Sequence, residues 1–310
     1  MALPKLICVV GPTASGKTAL GIHLAKKFHG DIISADSRQI YRGMDVGTAK
    51  ERGQWRAIGK HEALVVEGIP HYGIDLVTPN ESYTVADFQS YTNIVIADIV
   101  ERKKVPFIVG GTGLYVDAVI DNFIIPHVPP NPELRTKIEG LIREKGIQEV
   151  YLELLKLDPD AADFVSLQNS RRIIRALEVC LATGKPFSKQ KKRGKRLYTT
   201  LQVGITVPRE TLYARINARV DQQVRDGLID EVRHLLTLYD AALPSFSGIG
   251  YSDLISGLRG AISMEAAIDM VKRRTRWYSR RQMTWFRRDK RIKWVQSPKE
   301  AEKLVARFLK

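Results

Sequence analysis

Cysteine is scarce. Only Cys8 and Cys180 occur among the 310 residues, and neither belongs to a Cys-x-x-Cys pair or a Cys/His cluster. That excludes a disulfide framework and a structural zinc site, and both thiols are expected as small core residues. No apolar run approaches the ~20 residues needed to cross a bilayer, and the apolar stretch behind Met1-Ala2-Leu3-Pro4-Lys5 is too short for a signal peptide. No membrane partner is expected, and the cytosol is the expected compartment. Acidic residues are also few: 34 Asp and Glu face 49 Lys and Arg, for a net charge of +15. An excess of that size, gathered in segments, favours a polyanionic partner such as nucleic acid. Internal repeats and low-complexity tails are absent, and no protein partner is evident.

What is present is a chain 44% hydrophobic, enough for one large domain or a core with an inserted lobe. Residues 5–10 form an apolar run that enters glycine-rich sequence, and residues 17–28 then show helical spacing. Residues 31–34 and 105–109 give two further short strands. Between them, residues 84–102 read as a helix opened by Thr84, with Asp87 three residues on. The alternation predicts an α/β fold, a phosphate-loop (P-loop) NTPase-like parallel sheet flanked by helices. From about Asn122 the texture changes. Pro126, Pro129, Pro130 and Pro132 interrupt the chain, and charged helical sequence runs over residues 133–155. An inserted helical lobe is expected over residues 121–197, splitting the catalytic core into residues 1–120 and 198–310. Residues 199–207 return to a strand pattern, residues 211–238 and 264–287 are expected as helices, and a strand at 292–295 precedes a last helix.

Gly11-Pro12-Thr13-Ala14-Ser15-Gly16-Lys17-Thr18 fits G-x-x-x-x-G-K-[ST], after a strand and before a helix. Its glycines let backbone N–H groups turn toward phosphate oxygens, with the helix N-terminus adding partial positive charge. Lys17 is placed to neutralise phosphate, and the Thr18 hydroxyl to bind Mg2+. ATP-binding enzymes with such a loop need an acidic residue at the end of another strand. The strand at 105–109 ends instead in Gly110-Gly111-Thr112-Gly113, which points to a diphosphate in place of a triphosphate.

Ligands of open α/β sheets sit beyond the carboxyl ends of the strands, where Asp36 follows the second strand. A carboxylate there could take a proton from an attacking amine. It could equally bind magnesium or a ribose, or cap a helix. Thr112 reaches the same crevice and could bond a substrate amine or a phosphate oxygen, or satisfy its own turn.

The phosphate loop, the run from Asp36-Ser37-Arg38-Gln39 through Gly47-Thr48-Ala49-Lys50, and Gly110-Gly111-Thr112-Gly113-Leu114-Tyr115 together closely resemble the bacterial tRNA dimethylallyltransferases. The likeness continues through Arg171-Arg172-Ile173-Ile174-Arg175-Ala176-Leu177-Glu178, Gly250-Tyr251 and Arg280-Arg281-Gln282-Met283-Thr284-Trp285-Phe286. It implies that dimethylallyl diphosphate lies with magnesium on the loop. It also implies that Asp36 is the general base toward the exocyclic amine of the adenosine 3′ to the anticodon, with Lys17 and Thr112 assisting. Contacts to the tRNA anticodon stem-loop are implied for Asp36, Ser37, Arg38, Gln39, Thr112, Gln168, Asn169, Arg171, Arg172, Gly250, Tyr251, Arg280, Arg281 and Gln282. One of Arg209, Arg215 and Arg219 is implied to meet the diphosphate. Where the family usually carries His-Pro-Asn, this chain has Ser166-Leu167-Gln168, followed by Asn169. The C-terminal Cys/His zinc finger of eukaryotic relatives is missing, which implies a bacterial-type enzyme.

Residues 272–293 hold eleven Lys or Arg and one acid, Asp289, interleaved with Trp277, Tyr278, Trp285 and Phe286. Phosphate contacts and base stacking need that mixture, although some of the aromatics share helix faces that would anchor on the core. Residues 185–196, with seven basic residues and no acid, form a second candidate clamp. A small-molecule kinase shares the loop and sheet but has no use for such segments, and a nucleic-acid binder regulated by nucleotide would not need Asp36.

Overall fold

The computed structural model describes residues 3–126, 128, 131–190 and 192–310. Met1, Ala2, Pro129, Pro130 and Lys191, used above for the chain start, the proline-rich break and the basic run, lie outside the described residues. The chain divides into two compact units, residues 1–120 with 196–310, and residues 121–195.

The first unit contains β1 (Lys5–Val10), α1 (Lys17–Lys27), β2 (Gly30–Ala35), β3 (Gln54–Ile58), β4 (His61–Val66), β5 (Ile69–Tyr72), α2 (Val85–Glu101), β6 (Val105–Gly110) and α3 (Gly113–Ile120). The strands form one sheet with two later ones, β9 (Thr199–Ile205) and β10 (Lys293–Val295), in the order β10-β9-β1-β6-β2-β5-β4-β3. The six strands from β10 to β5 are parallel, and β4 and β3 run antiparallel at one edge. Central strands buried on both faces are near-continuously apolar, which is why residues 5–10 and 105–109 stand out in the sequence, and the polar exceptions, Asp31 in β2 and Gln202 in β9, bond to Arg102 and Asp289. Leu6, Cys8 and Val10 turn to one face, against Val95 and Ile99 of α2 and Val116 and Val119 of α3. Ile7 and Val9 turn to the other, against Leu20 and Leu24 of α1 and Val305 of α12 (Pro298–Leu309). Thr84 caps α2 in a full capping box with Asp87.

The expected helix over residues 211–238 is two: α8 (Arg209–Arg225) and α9 (Leu228–Leu238), separated at Gly227, whose φ of 96° is left-handed. Two longer-range elements follow, α10 (Tyr251–Leu258) and the 25-residue α11 (Met264–Arg288).

The second unit contains β7 (Phe123–Ile124), α4 (Pro132–Lys145), α5 (Ile147–Leu157), α6 (Ser170–Thr183), α7 (Phe187–Gln190) and β8 (Lys192–Arg193). Residues 133–155 are therefore not one helix: Gly146, with φ 86° and ψ 157°, ends α4 and starts α5. Ile138, Leu154, Ile173 and Leu177 build the core of this unit. Glu178 is wholly buried, held by the Arg135 and Arg175 guanidiniums and the Asn131 N–H, which bring its carboxyl down to about 2. Among the described residues no helix is long and apolar enough to cross a membrane.

Candidate active site

The phosphate loop leaves β1 at Gly11 and enters α1 at Lys17, through Ala14 at φ 60° and Gly16 at φ 88°. A Cβ on Gly11 would stand 2.9 Å from the Ser15 hydroxyl, so a larger residue there has to displace that side chain. Lys17 Nζ donates to the Pro12 carbonyl at 3.3 Å. Burial pushes its ammonium down to about 8, aided by the nearby Arg219 charge and opposed by Asp36.

Three adjacent parallel strands deliver the remaining groups, because β6 lies between β1 and β2. Asp36 follows β2 and accepts the Arg38 N–H at 2.9 Å. Thr112 follows β6, donates its N–H to the Ala35 carbonyl at 3.0 Å, and accepts the Ser37 N–H on its hydroxyl at 3.0 Å. The Tyr278 hydroxyl bonds to the Thr112 side chain, and burial together with the Asp36 charge pushes this phenol up to about 12. Thr13, Lys17, Thr18, Asp36 and Arg219 line one cavity of about 300 Å³ whose apolar wall includes Ile32, Ile74 and Val109. A second cavity, of about 560 Å³, adjoins it and shares Ala49, Lys50, Glu51 and Arg219.

Of the three candidate arginines, only Arg219 reaches this cavity. Arg209 is exposed and covers the Tyr213 ring at 5.2 Å, and Arg215 is exposed. Helical spacing separates Arg219, about 60° from the centre of the buried Leu212-Ile216-Val220 stripe, from Arg215 at about 100°, but it places Arg209 nearer still, at about 20°, so spacing alone could not have made the choice.

Several candidate RNA contacts are occupied within the protein. Arg38 donates to the Ser245 carbonyl at 3.1 Å and the Ser247 hydroxyl at 3.2 Å. Gln39 accepts the Ser34 hydroxyl at 2.8 Å and donates to the Thr48 and Ala49 carbonyls, holding the cavity wall. Tyr251, 1% exposed, donates to Glu231 at 2.7 Å. The same carboxylate accepts the N–H groups of Asp45, Val46 and Gly47, and so fixes the loop that leads to residues 48–51. Gly250 starts α10 at φ 97°, a conformation that favours glycine. Gln282 is buried and bonded at both ends of its amide. In the second unit, Asn169 caps α6 through the Arg172 N–H, Gln168 bonds to Ser166, Arg172 lies over the Phe164 ring, and Arg171 is exposed.

Helix α11 separates the basic segment into two populations. Lys272, Arg274 and Arg276 are paired with Asp221, Asp253 and Asn217. Arg273, Arg280, Arg281, Arg287 and Arg288 are exposed, with Trp277 47% and Trp285 37% exposed among them. Trp285 also covers Gly113, where a Cβ would lie 2.2 Å from its Cδ1. Gly113→Ala is therefore expected to lower stability by ~1–3 kcal/mol through overpacking, read by denaturant unfolding.

Among the described residues no group of three or more His, Cys, Asp or Glu could hold a metal ion. A Mg2+ ion takes few protein ligands and keeps phosphate oxygens and water, so a single Thr18 hydroxyl beside a phosphate cradle fits it.

The model of the IPP transferase family matches residues 39–289. The chain belongs to this family. It is 45% identical to the tRNA dimethylallyltransferase of Carboxydothermus hydrogenoformans over 309 residues, covering 98% of this chain and 96% of that protein. The same-named protein of Halalkalibacterium halodurans is 42% identical over 296 residues, with 94% and 90% covered. Among solved structures, a full-length tRNA isopentenylpyrophosphate transferase from Bacillus halodurans matches with TM-score 0.71 and 40% identity, over 98% of this chain and 96% of that one. A eukaryotic dimethylallyltransferase acting on tRNA matches with TM-score 0.70 and 28% identity, over 91% and 69%.

Proposed function

We propose that the chain transfers a dimethylallyl group from dimethylallyl diphosphate to the exocyclic amine of the adenosine 3′ to the anticodon of a tRNA, in the cytosol, releasing diphosphate. The observation that carries this reading is the meeting of the phosphate loop and Asp36 in one cavity, with Thr112 outside its lining but bonded to Ser37 at the adjacent strand end. The adenosine must leave its stack to reach a recessed carboxylate, as bases do in other base-modifying enzymes. The amine nitrogen then bonds to the first carbon of the prenyl group as the carbon–oxygen bond to diphosphate breaks. The electron pair leaves with the diphosphate, and the amine proton goes to Asp36. Lys17 and Arg219 neutralise the charge that grows on the leaving group, usually the largest catalytic contribution. Thr112 orients the amine. Thr18 would hold Mg2+, which when bound supplies further charge neutralisation on the diphosphate.

The exposed arginines of α11 supply phosphate contacts, and Trp277 supplies a stacking surface. Residues 121–195, with Arg171 exposed, grip the anticodon stem. Incubating unmodified tRNA with the protein, Mg2+ and dimethylallyl diphosphate, without ATP, should add the mass of one prenyl unit to the anticodon-loop fragment. An unchanged fragment mass with folded protein would overturn the reading.

A further inference from the structure

Glu231 stands in the first turn of α9 and lines neither cavity. One of its carboxylate oxygens accepts the Asp45 and Val46 N–H groups at 2.8 and 2.6 Å. The other accepts the Gly47 N–H at 3.0 Å and the Tyr251 hydroxyl at 2.7 Å. Successive backbone N–H groups turned toward one point make a nest, a concavity that favours an anion. Here the protein fills the nest with its own carboxylate.

The same loop is gripped through its carbonyls. Gln223 of α8 donates its amide to Val46 at 2.6 Å and to Gly47 at 3.1 Å, and Gln39 donates to Thr48 and Ala49, both at 3.3 Å. Ala49 lies at φ 49°, a left-handed conformation that a residue with a Cβ keeps only where its surroundings impose it. What these bonds hold in place is one wall of the phosphate-loop cavity, because Thr48, Ala49, Lys50 and Glu51 all line it. Gln223 also stands one helical turn after Arg219, on the same face of α8. The loop and the arginine are therefore set against each other by bonds that converge on residues 45–47.

We propose that Glu231 is a positioning residue for the prenyl donor, its charge seated in the nest at residues 45–47 and holding the cavity wall and Arg219 in register around the diphosphate. The inference rests on the function proposed above. Without an anion the N–H groups of the nest lose their acceptor, and the loop satisfies them by moving toward water. Donor binding must then restore the order that Glu231 supplies in advance.

In assays of prenyl transfer to unmodified tRNA, Glu231→Ala should lower kcat/KM for dimethylallyl diphosphate about ten-fold, the equivalent of one hydrogen bond to a charged group, while the Kd for an anticodon stem-loop RNA stays at the wild-type value. Sodium formate should restore most of that loss, because its carboxylate fits the emptied nest, and sodium chloride at equal ionic strength should not. Glu231→Gln fills the nest with an amide whose NH2 opposes the N–H donors, so it should show a loss that formate leaves unchanged, and it serves if the alanine variant does not fold. An unchanged kcat/KM in either variant, a parallel loss of RNA affinity, failure of formate to restore the alanine variant, or restoration by chloride or of the glutamine variant overturns the proposal. A wild type that transfers no prenyl group to tRNA would overturn the proposed function itself, and this inference with it.

Discussion

Asp36→Ala is expected to lower single-turnover prenyl transfer by ~10²- to 10⁴-fold, the range for loss of a positioned general base. Affinity for tRNA should stay near the wild-type value, because the exposed arginines and tryptophans lie on α11 and not on the loop after β2. Asp36→Asn sharpens the test: it retains an acceptor for the Arg38 N–H, which the aspartate now binds at 2.9 Å, but cannot take a proton. Equal losses in the two variants would assign the effect to the missing base. Recovery in the asparagine variant would assign it to the turn that Asp36 holds. The measurement is a rate of product formation beside a filter-binding isotherm on the same preparations.

Lys17→Met is expected to reduce turnover by ~10²- to 10³-fold, the cost of removing one group that stabilises developing charge in a recessed site. The wild type carries a pH signature that this variant should lack. Burial brings the Lys17 ammonium down to about 8, so in the free protein it is charged below that pH and loses its charge above it. Bound diphosphate favours the charged form, and the pKa therefore rises on binding. Donor affinity is fully present below pH 8 and weakens as the pH climbs through it, so KM for dimethylallyl diphosphate should rise there. A KM profile for Lys17→Met that keeps the same alkaline rise would assign the titration to another group.

Much of the catalytic core is legible in the sequence for one physical reason. Strands buried on both faces carry polar residues only where a partner satisfies them, as Arg102 does for Asp31 of β2, so residues 5–10 and 105–109 are mostly apolar runs, and each ends in glycine that lets the chain turn. The start of α2 is legible because Thr84 and Asp87 satisfy N–H groups that the helix cannot. By contrast, β3 is almost wholly exposed, so its residues show no alternation to read. The next hairpin turns through Glu67 and Gly68, both with left-handed φ, and of that pair only the glycine is a turn signal in the sequence. The helical spacing continues across Gly146 and Gly227, and periodicity alone therefore merges two helices at each. In the site, motif and strand ends indicate Lys17, Thr18, Asp36 and Thr112. They do not indicate that Arg38, Tyr251 and Gln282 turn inward. Those side chains are polar and stand among basic or loop residues, and their partners lie far away in sequence.

That distance has a consequence for how the protein is made. The bond between the Thr13 N–H and Gln282 spans 269 residues. At ordinary rates of synthesis the phosphate loop emerges roughly 13–54 s before the glutamine that braces it. The strands β9 and β10, which complete one side of the sheet next to β1, are also late products. A ribosome-bound chain therefore carries the diphosphate motif well before it carries the parts that set its shape, and a pool of growing chains should sequester little of the prenyl donor.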